Sequence, residues 1–180
     1  MGNKAVFIDR DGTINKNVEY LDNPDNFQMY PGVAEGIRLL KDNDFKIIII
    51  TNQSGISRGY FSNKTLKKIH ERMKKELLEK GASFDALYVC PHHPDDNCEC
   101  RKPKTSLFEK AIKDFDIDTS HSYVIGDRML DVEAGYKMRL KTILVPERKE
   151  LVNQEIKESK IKPDFLCEDF LTGVKWILKI

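Results

Sequence analysis

Val6-Phe7-Ile8-Asp9-Arg10-Asp11-Gly12-Thr13-Ile14-Asn15 is the stretch on which the fold turns. The apolar run Ala5–Ile8 is too short for a helix and reads as a strand buried on both faces. It stops at two aspartates spaced i, i+2 and followed by glycine. In a parallel sheet ligands bind beyond the carboxyl ends of the strands, so Asp9 and Asp11 are expected at the mouth of a site. Two carboxylates this close repel, and both stay ionised only with a cation between them. A plain Asp-Gly turn is the alternative. The rest of the chain decides between the two.

Working outward, further strand-like runs appear at Phe45–Ile50, Ala86–Val89, Ser122–Ile125 and Thr142–Val145, with a short one at Asp164–Leu166. Helical spacing separates them. Pro31-Gly32 opens a helix carrying Val33, Ile37 and Leu40 that ends near Asn43. Ser62 caps a long helix to about Lys80, with Leu66, Ile69, Met73 and Leu77 inward. His70 and the lysines of that helix read as a solvated face. Leu107–Phe115 and Val132–Met138 are helical, and Phe170, Val174 and Ile177 mark a last helix in which Trp176 packs. Cys167 reads as a core residue. Asn15–Asn26 is polar with scattered apolar residues and reads as a flap over the first strand's end. Alternating strands and helices imply an α/β fold, a parallel sheet covered by helices on both faces.

The 180 residues fit a single domain spanning 1–180. A third of them are charged, but the net charge is only +1, which argues against a nucleic-acid-binding face. No apolar run approaches the length of a membrane span, and no leader-like segment opens the chain. A soluble, cytoplasmic protein is expected, with no nucleic-acid or membrane partner and acting as a monomer.

The polar clusters that follow the strands suit one chemistry. Asp9 is a candidate nucleophile: a carboxylate can attack phosphorus once the phosphate charge is neutralised. Mg²⁺ held by Asp9 and Asp127 would neutralise it. Asp11 can give a proton to the leaving alcohol and take one from the hydrolytic water. Thr51 offers a hydroxyl and Lys102 a compact positive charge for the phosphoryl oxygens. Asp131, four residues after Asp127, is placed to orient Lys102 or the metal's surroundings.

Cys90, His92, Cys98 and Cys100 supply three thiolates and an imidazole in eleven residues, a set suited to structural Zn²⁺ with no open position. His93 rivals His92 as the fourth ligand. Zinc there would pin the loop that carries Arg101 and Lys102.

Asp9-Arg10-Asp11-Gly12-Thr13, Thr51, Lys102 and Gly126-Asp127-x-x-x-Asp131 resemble, in order, the four motifs of the haloacid-dehalogenase-like phosphatases. The resemblance implies a three-layer, Rossmann-like α/β/α fold with no large cap domain and an aspartyl-phosphate intermediate. It also implies Mg²⁺ held by Asp9, Asp127 and the backbone carbonyl of Asp11. It favours His92 over His93 in the zinc loop.

Within the family, Thr51–Phe61 is similar to the heptose bisphosphate phosphatases, with Asp25-Asn26-Phe27 as a weaker likeness. The five-residue gap between His92 and Cys98, and Tyr123–Arg128, are similar to the histidinol-phosphate phosphatases instead. The first likeness implies removal of the 7-phosphate of D-glycero-D-manno-heptose 1,7-bisphosphate. It also implies substrate contacts from Asn17, Val18, Glu19 and Tyr20, from Thr51, Asn52, Gln53 and Ser54, and from Arg101 and Arg128, the last standing where a lysine is common. The other readings to separate are histidinol-phosphate hydrolysis, a non-catalytic zinc-stabilised binding module and a nucleic-acid 3′-phosphatase.

Overall fold

The computed structural model describes residues 2–180. Six strands, β1 (Ala5–Ile8), β2 (Lys46–Asn52), β3 (Ala86–Cys90), β4 (Tyr123–Gly126), β5 (Lys141–Leu144) and β6 (Phe165–Leu166), form one sheet in the order β3-β2-β1-β4-β5-β6. Every pairing is parallel. Six helices alternate with them: α1 (Val33–Asp42), α2 (Asn63–Glu79), α3 (Ser106–Phe115), α4 (Met129–Lys137), α5 (Lys149–Glu158) and α6 (Phe170–Leu178).

The continuous apolar runs divide by the period of two that a strand imposes. Val6, Ile8, Ile47 and Ile49 point to one face, where Ile37 and Leu40 of α1, Ile69 and Met73 of α2 and Val174 of α6 cover them. Ala5, Phe7, Ile48 and Ile50 point to the other, under Phe108 and Ala111 of α3 and Ala134 of α4. This is why the strands lack polar alternation: neither face meets water. Trp176 packs as expected, stacked on Phe165 at 5.0 Å between ring centroids, and Cys167 is buried.

Three differences from the sequence reading have local causes. The second strand runs two residues further, because Thr51 and Asn52 pair with Val89 and Cys90 despite their polarity. The helix expected from Val132 begins at Met129, since Asp131 reaches back to the Arg128 N–H as a helix cap. Helix α5 was not anticipated at all. Its apolar pattern is thin, and Val152 is its only fully buried residue, packed with Met129, Val132 and Leu144.

The flap is a loop that returns to its origin. Lys16 N–H donates to Gln28 O and Tyr30 N–H to Ile14 O, with Leu21 and Phe27 buried beneath it. No helix is long and apolar enough to cross a membrane among the described residues.

Helix α4 carries Asp131 of the last motif, so its seating on the sheet matters. A Cβ on Gly135 would lie 2.3 Å from Val124 Cγ1 and 2.8 Å from Thr142 Cγ2. Gly→Ala inside a helix ordinarily gains up to about 1 kcal/mol. Overpacking against two β-branched strand residues costs about 1–3 kcal/mol and should win. Gly135→Ala is expected to lower the thermal midpoint by several degrees; a raised midpoint would mean that α4 is not pressed on β4 and β5.

Candidate active site

The strand ends bring the predicted residues to one edge of the sheet. Asp9 follows β1 and is anchored by its N–H donating to Ile125 O at 3.0 Å. The chain then turns tightly, with the N–H groups of Ile14 and Asn15 both donating to Arg10 O. Gly12 is required in this turn for two reasons. Its φ is +85°, and a Cβ there would stand 2.3 Å from Asp127 Oδ2.

Lys102 is the centre of the site. Its side chain is buried, and Nζ donates to Asp9 Oδ1 at 2.6 Å, Asp131 Oδ1 at 2.6 Å and Ile50 O at 2.7 Å. Its backbone is held by the Asn52 amide in both directions: Lys102 N–H donates to Asn52 Oδ1, and Asn52 Nδ2 donates to Lys102 O. Asp131 therefore orients the lysine, one of the two roles open to it from sequence.

One oxygen each from Asp9, Asp127 and Asp131 lies within 4.8 Å of the others. Lys102 pairs with Asp9 and Asp131, and Asp127 has no salt-bridge partner among the described residues. Burial first, and then this crowding of carboxylates, show in the acidities. Burial, and then Asp9 and Asp131, push Asp127 up to about 9. Burial pushes Asp9 up to about 6, with Lys102 pulling the other way. Burial would lower Lys102, but Asp131 and Asp9 raise it above the ordinary lysine value. A surplus of buried carboxylate oxygens fits a hard divalent cation of the Mg²⁺ type.

Asp11 behaves oppositely. Burial works to raise it, but the Arg10 charge and hydrogen bonds from Asn15, Arg10 and Gln53 hold it below the usual carboxylate range. Arg10 forks onto it through Nε at 3.0 Å and Nη2 at 2.6 Å. Asn15 Nδ2 donates at 3.0 Å and Gln53 Nε2 at 2.7 Å. The remaining Arg10 nitrogen, Nη1, lies 3.0 Å from Nε2 of His70. His70 is therefore partly buried rather than on the solvated face that its lysine-rich helix suggested. It faces inward from α2, and burial together with the Arg10 charge lowers its pKa to about 4.

A cleft of about 510 Å³ opens over these groups, and the flap residues Asn17–Tyr20, the segment Thr51–Gly55, Arg101 and Arg128 line it. Thr51 is buried, and Gln53 Nε2 donates to its hydroxyl at 2.8 Å. Asn52 and Gln53 thus spend polar atoms on Lys102 and Asp11, while Arg101 keeps a buried Nη1 with no partner. Arg128 is already engaged by Glu155 of α5, through Nη2 and through Nε at 3.3 Å. Arg148, also on the cleft wall, was not singled out from sequence. Only the unanticipated helix α5 puts it there. A larger cleft of about 680 Å³ lies elsewhere, lined by Tyr30, Glu35, Val145 and Phe170, and holds none of the motif side chains except Thr13.

The four residues expected to bind zinc converge. Cys90, Cys98 and Cys100 Sγ atoms are 3.1–3.6 Å apart, and His92 Nδ1 lies 3.1 Å from Cys100 Sγ and 3.7 Å from Cys90 Sγ. Tetrahedral zinc would need sulfur–sulfur separations of about 3.8 Å and sulfur–nitrogen separations of about 3.5 Å. The set fits. His93 faces away and caps the next turn, its Nδ1 accepting from Asp95 N–H.

Residues 99–172 match a family model described as HAD-hydrolase-like. The probable D-glycero-D-manno-heptose-1,7-bisphosphate 7-phosphatase of Thermoplasma volcanium is 44% identical over 138 residues, covering 77% of this chain and 94% of the relative. The D-glycero-beta-D-manno-heptose-1,7-bisphosphate 7-phosphatase of Haemophilus ducreyi is 42% identical over 149 residues, covering 79% and 82%. The crystal structure of a D,D-heptose 1,7-bisphosphate phosphatase from B. bronchiseptica, complexed with magnesium and phosphate, superposes with a TM-score of 0.89 at 30% identity, covering 98% of each chain.

The His70 environment has a measurable consequence. Its pKa falls from 6.5 to about 4 on folding. Between those values the unfolded chain binds a proton that the folded chain does not, so stability falls as pH drops through this window and is unaffected above it. His70→Gln lacks this titration. The stability advantage of the parent over His70→Gln should shrink by roughly 2–3 kcal/mol between pH 7.5 and pH 4 in urea unfolding. A gap independent of pH would place His70 in solvent.

Proposed function

The chain belongs to the haloacid-dehalogenase-like hydrolases, and on that premise we propose that it is a Mg²⁺-dependent phosphatase that removes the 7-phosphate of D-glycero-D-manno-heptose 1,7-bisphosphate. The observation that carries the reading is the buried Lys102 held between Asp9 and Asp131 beneath a cleft walled by arginines. The names of the relatives support the substrate. The reading takes residues 1–180 as one domain acting as a cytoplasmic monomer on a small phosphorylated sugar.

Mg²⁺ held by Asp9, Asp127 and the carbonyl of Asp11 would neutralise phosphate charge. The protein's own groups do the rest. Asp9 attacks phosphorus, the bond from phosphorus to the sugar oxygen breaks, and the electron pair leaves with that oxygen, which takes a proton from Asp11. Water then attacks the aspartyl phosphate, gives its proton to Asp11, and frees Asp9 and inorganic phosphate. The donors around Asp11 favour its ionised form, which the second step uses. The phosphate dianion arriving beside it raises its pKa again, which serves the first. Lys102 and the Thr51 hydroxyl steady the phosphoryl oxygens.

A second phosphate needs its own cations. Arg101, with an unpartnered Nη1, is the strongest candidate, and Arg148 adds to it. Arg128 has to share its guanidinium with Glu155. A charge-assisted contact is worth about 1.5–3 kcal/mol, tenfold or more in binding.

Phosphate release from heptose bisphosphate, histidinol phosphate and fructose 1,6-bisphosphate on one preparation tests the assignment. Heptose bisphosphate should be turned over fastest, Asp9→Asn should be inactive, and EDTA should abolish activity. Arg101→Ala should lose about tenfold or more on the bisphosphate and far less on an aryl monophosphate. Histidinol phosphate turned over well above heptose bisphosphate would overturn the substrate, and an active Asp9→Asn would overturn the mechanism.

Elemental analysis checks the metal loop. About one zinc per chain is expected, and Cys98→Ser should lower zinc content, thermal midpoint and activity together because the loop supports Lys102. Zinc-free protein with an unchanged midpoint would rule out the structural role.

A further inference from the structure

We infer that Arg10 and His70 are a positioning pair for Asp11: His70 of α2 fixes the Arg10 guanidinium, and Arg10 in turn fixes the Asp11 carboxylate at the edge of the cleft. Arg10 is 0% exposed, the largest fully buried side chain among the described residues. A buried guanidinium with idle donors is strongly destabilising, so each donor edge needs an acceptor. Nε and Nη2 are taken by Asp11. The Nη1 edge is met by His70 Nε2 at 3.0 Å. Since Arg10 can only donate, Nε2 must present its lone pair, and the imidazole proton sits on Nδ1.

The pair solves a problem created by the i, i+2 spacing. Asp11 stands two residues from Asp9 and is next to Gly12, which abuts Asp127. An unrestrained Asp11 carboxylate would be drawn to any cation bound by Asp9 and Asp127. Arg10, backed by His70, holds it from one side, while Asn15 of the flap and Gln53 beyond β2 hold it from the others. In that grip 24% of the side-chain surface stays accessible at the cleft. Neither Arg10 nor His70 lines the cleft, so both act through Asp11.

This rests on Asp11 being the proton donor of the proposed reaction, and the test separates the two claims. kcat/KM extends only as far as departure of the leaving group. A sugar alkoxide needs a proton to leave; 4-nitrophenolate, from 4-nitrophenyl phosphate, does not. His70→Ala should lose about tenfold in kcat/KM on heptose bisphosphate, a fraction of the roughly 10²–10⁴-fold that a general acid contributes, and less than about threefold on 4-nitrophenyl phosphate. His70→Gln, whose amide oxygen can accept from Nη1, should restore most of the loss. Arg10→Lys, which keeps the charge and loses the fork, should repeat the His70→Ala pattern, with circular dichroism confirming the fold. Equal losses on both substrates, or no loss on the sugar, would overturn the inference while Asp11→Asn still discriminates between leaving groups. If Asp11→Asn fails to discriminate, the acid role itself is wrong and the inference goes with it.

Discussion

The ammonium of Lys102, buried and 2.6 Å from carboxylate oxygens of both Asp9 and Asp131, is the contact that the rest of the arrangement serves. Removing one partner from such a buried ionic group strands the others, at a cost of about 3–5 kcal/mol. The geometry must therefore be held from every side. Asn52 ties both backbone groups of Lys102 to β2, Asp131 is fixed by capping α4, and Asp9 hangs from Ile125. Three elements far apart in sequence are locked by one nitrogen.

The parallel sheet makes this possible. With β1 between β2 and β4, the carboxyl ends of three neighbouring strands release Asp9, Thr51–Gln53 and Asp127 at the same edge. The apolar residues behind them fill both faces of the sheet, so these ends stand on a rigid base. Rigidity matters because three carboxylates and one lysine are kept close against their mutual repulsion. The surplus of carboxylate oxygens has the chemistry that suits a hard cation.

Two loops bring what the strands cannot. The cysteine loop after β3 delivers Arg101 and Lys102, and its four ligand atoms lie near the tetrahedral spacing of a zinc site. The flap after β1 supplies Asn17–Tyr20, and Glu147 ties it down by accepting from Asn17 N–H and from the Tyr30 hydroxyl. Burial and that bond to Glu147 raise the Tyr30 pKa above the ordinary phenol value, which keeps it a donor. The flap and the segment leading into α5 thus meet at one carboxylate, joining the two walls of the cleft.

Most of the elements were legible in the sequence because apolar runs four to six residues long, each stopped by a polar cluster, can mean little except buried parallel strands. The motif residues were legible for the same reason: Asp9, Thr51 and Asp127 stand where such strands end. The cysteine spacing named three of the four zinc-loop ligands, while the choice of His92 over His93 rested on the family resemblance and on His93 capping the next turn. Helix α5 was not legible, since one buried valine gives no period, and with it went the Glu155 grip on Arg128 and the place of Arg148. The inward turn of His70 was hidden as well. On a lysine-rich helix a lone histidine carries no sign of what it faces, and its partner Arg10 lies 60 residues away. Local pattern determines which residues are buried and where strands stop. Which polar group meets a buried charge is decided only when α2 is laid across the sheet, because such a contact depends on a distance that sequence separation does not encode.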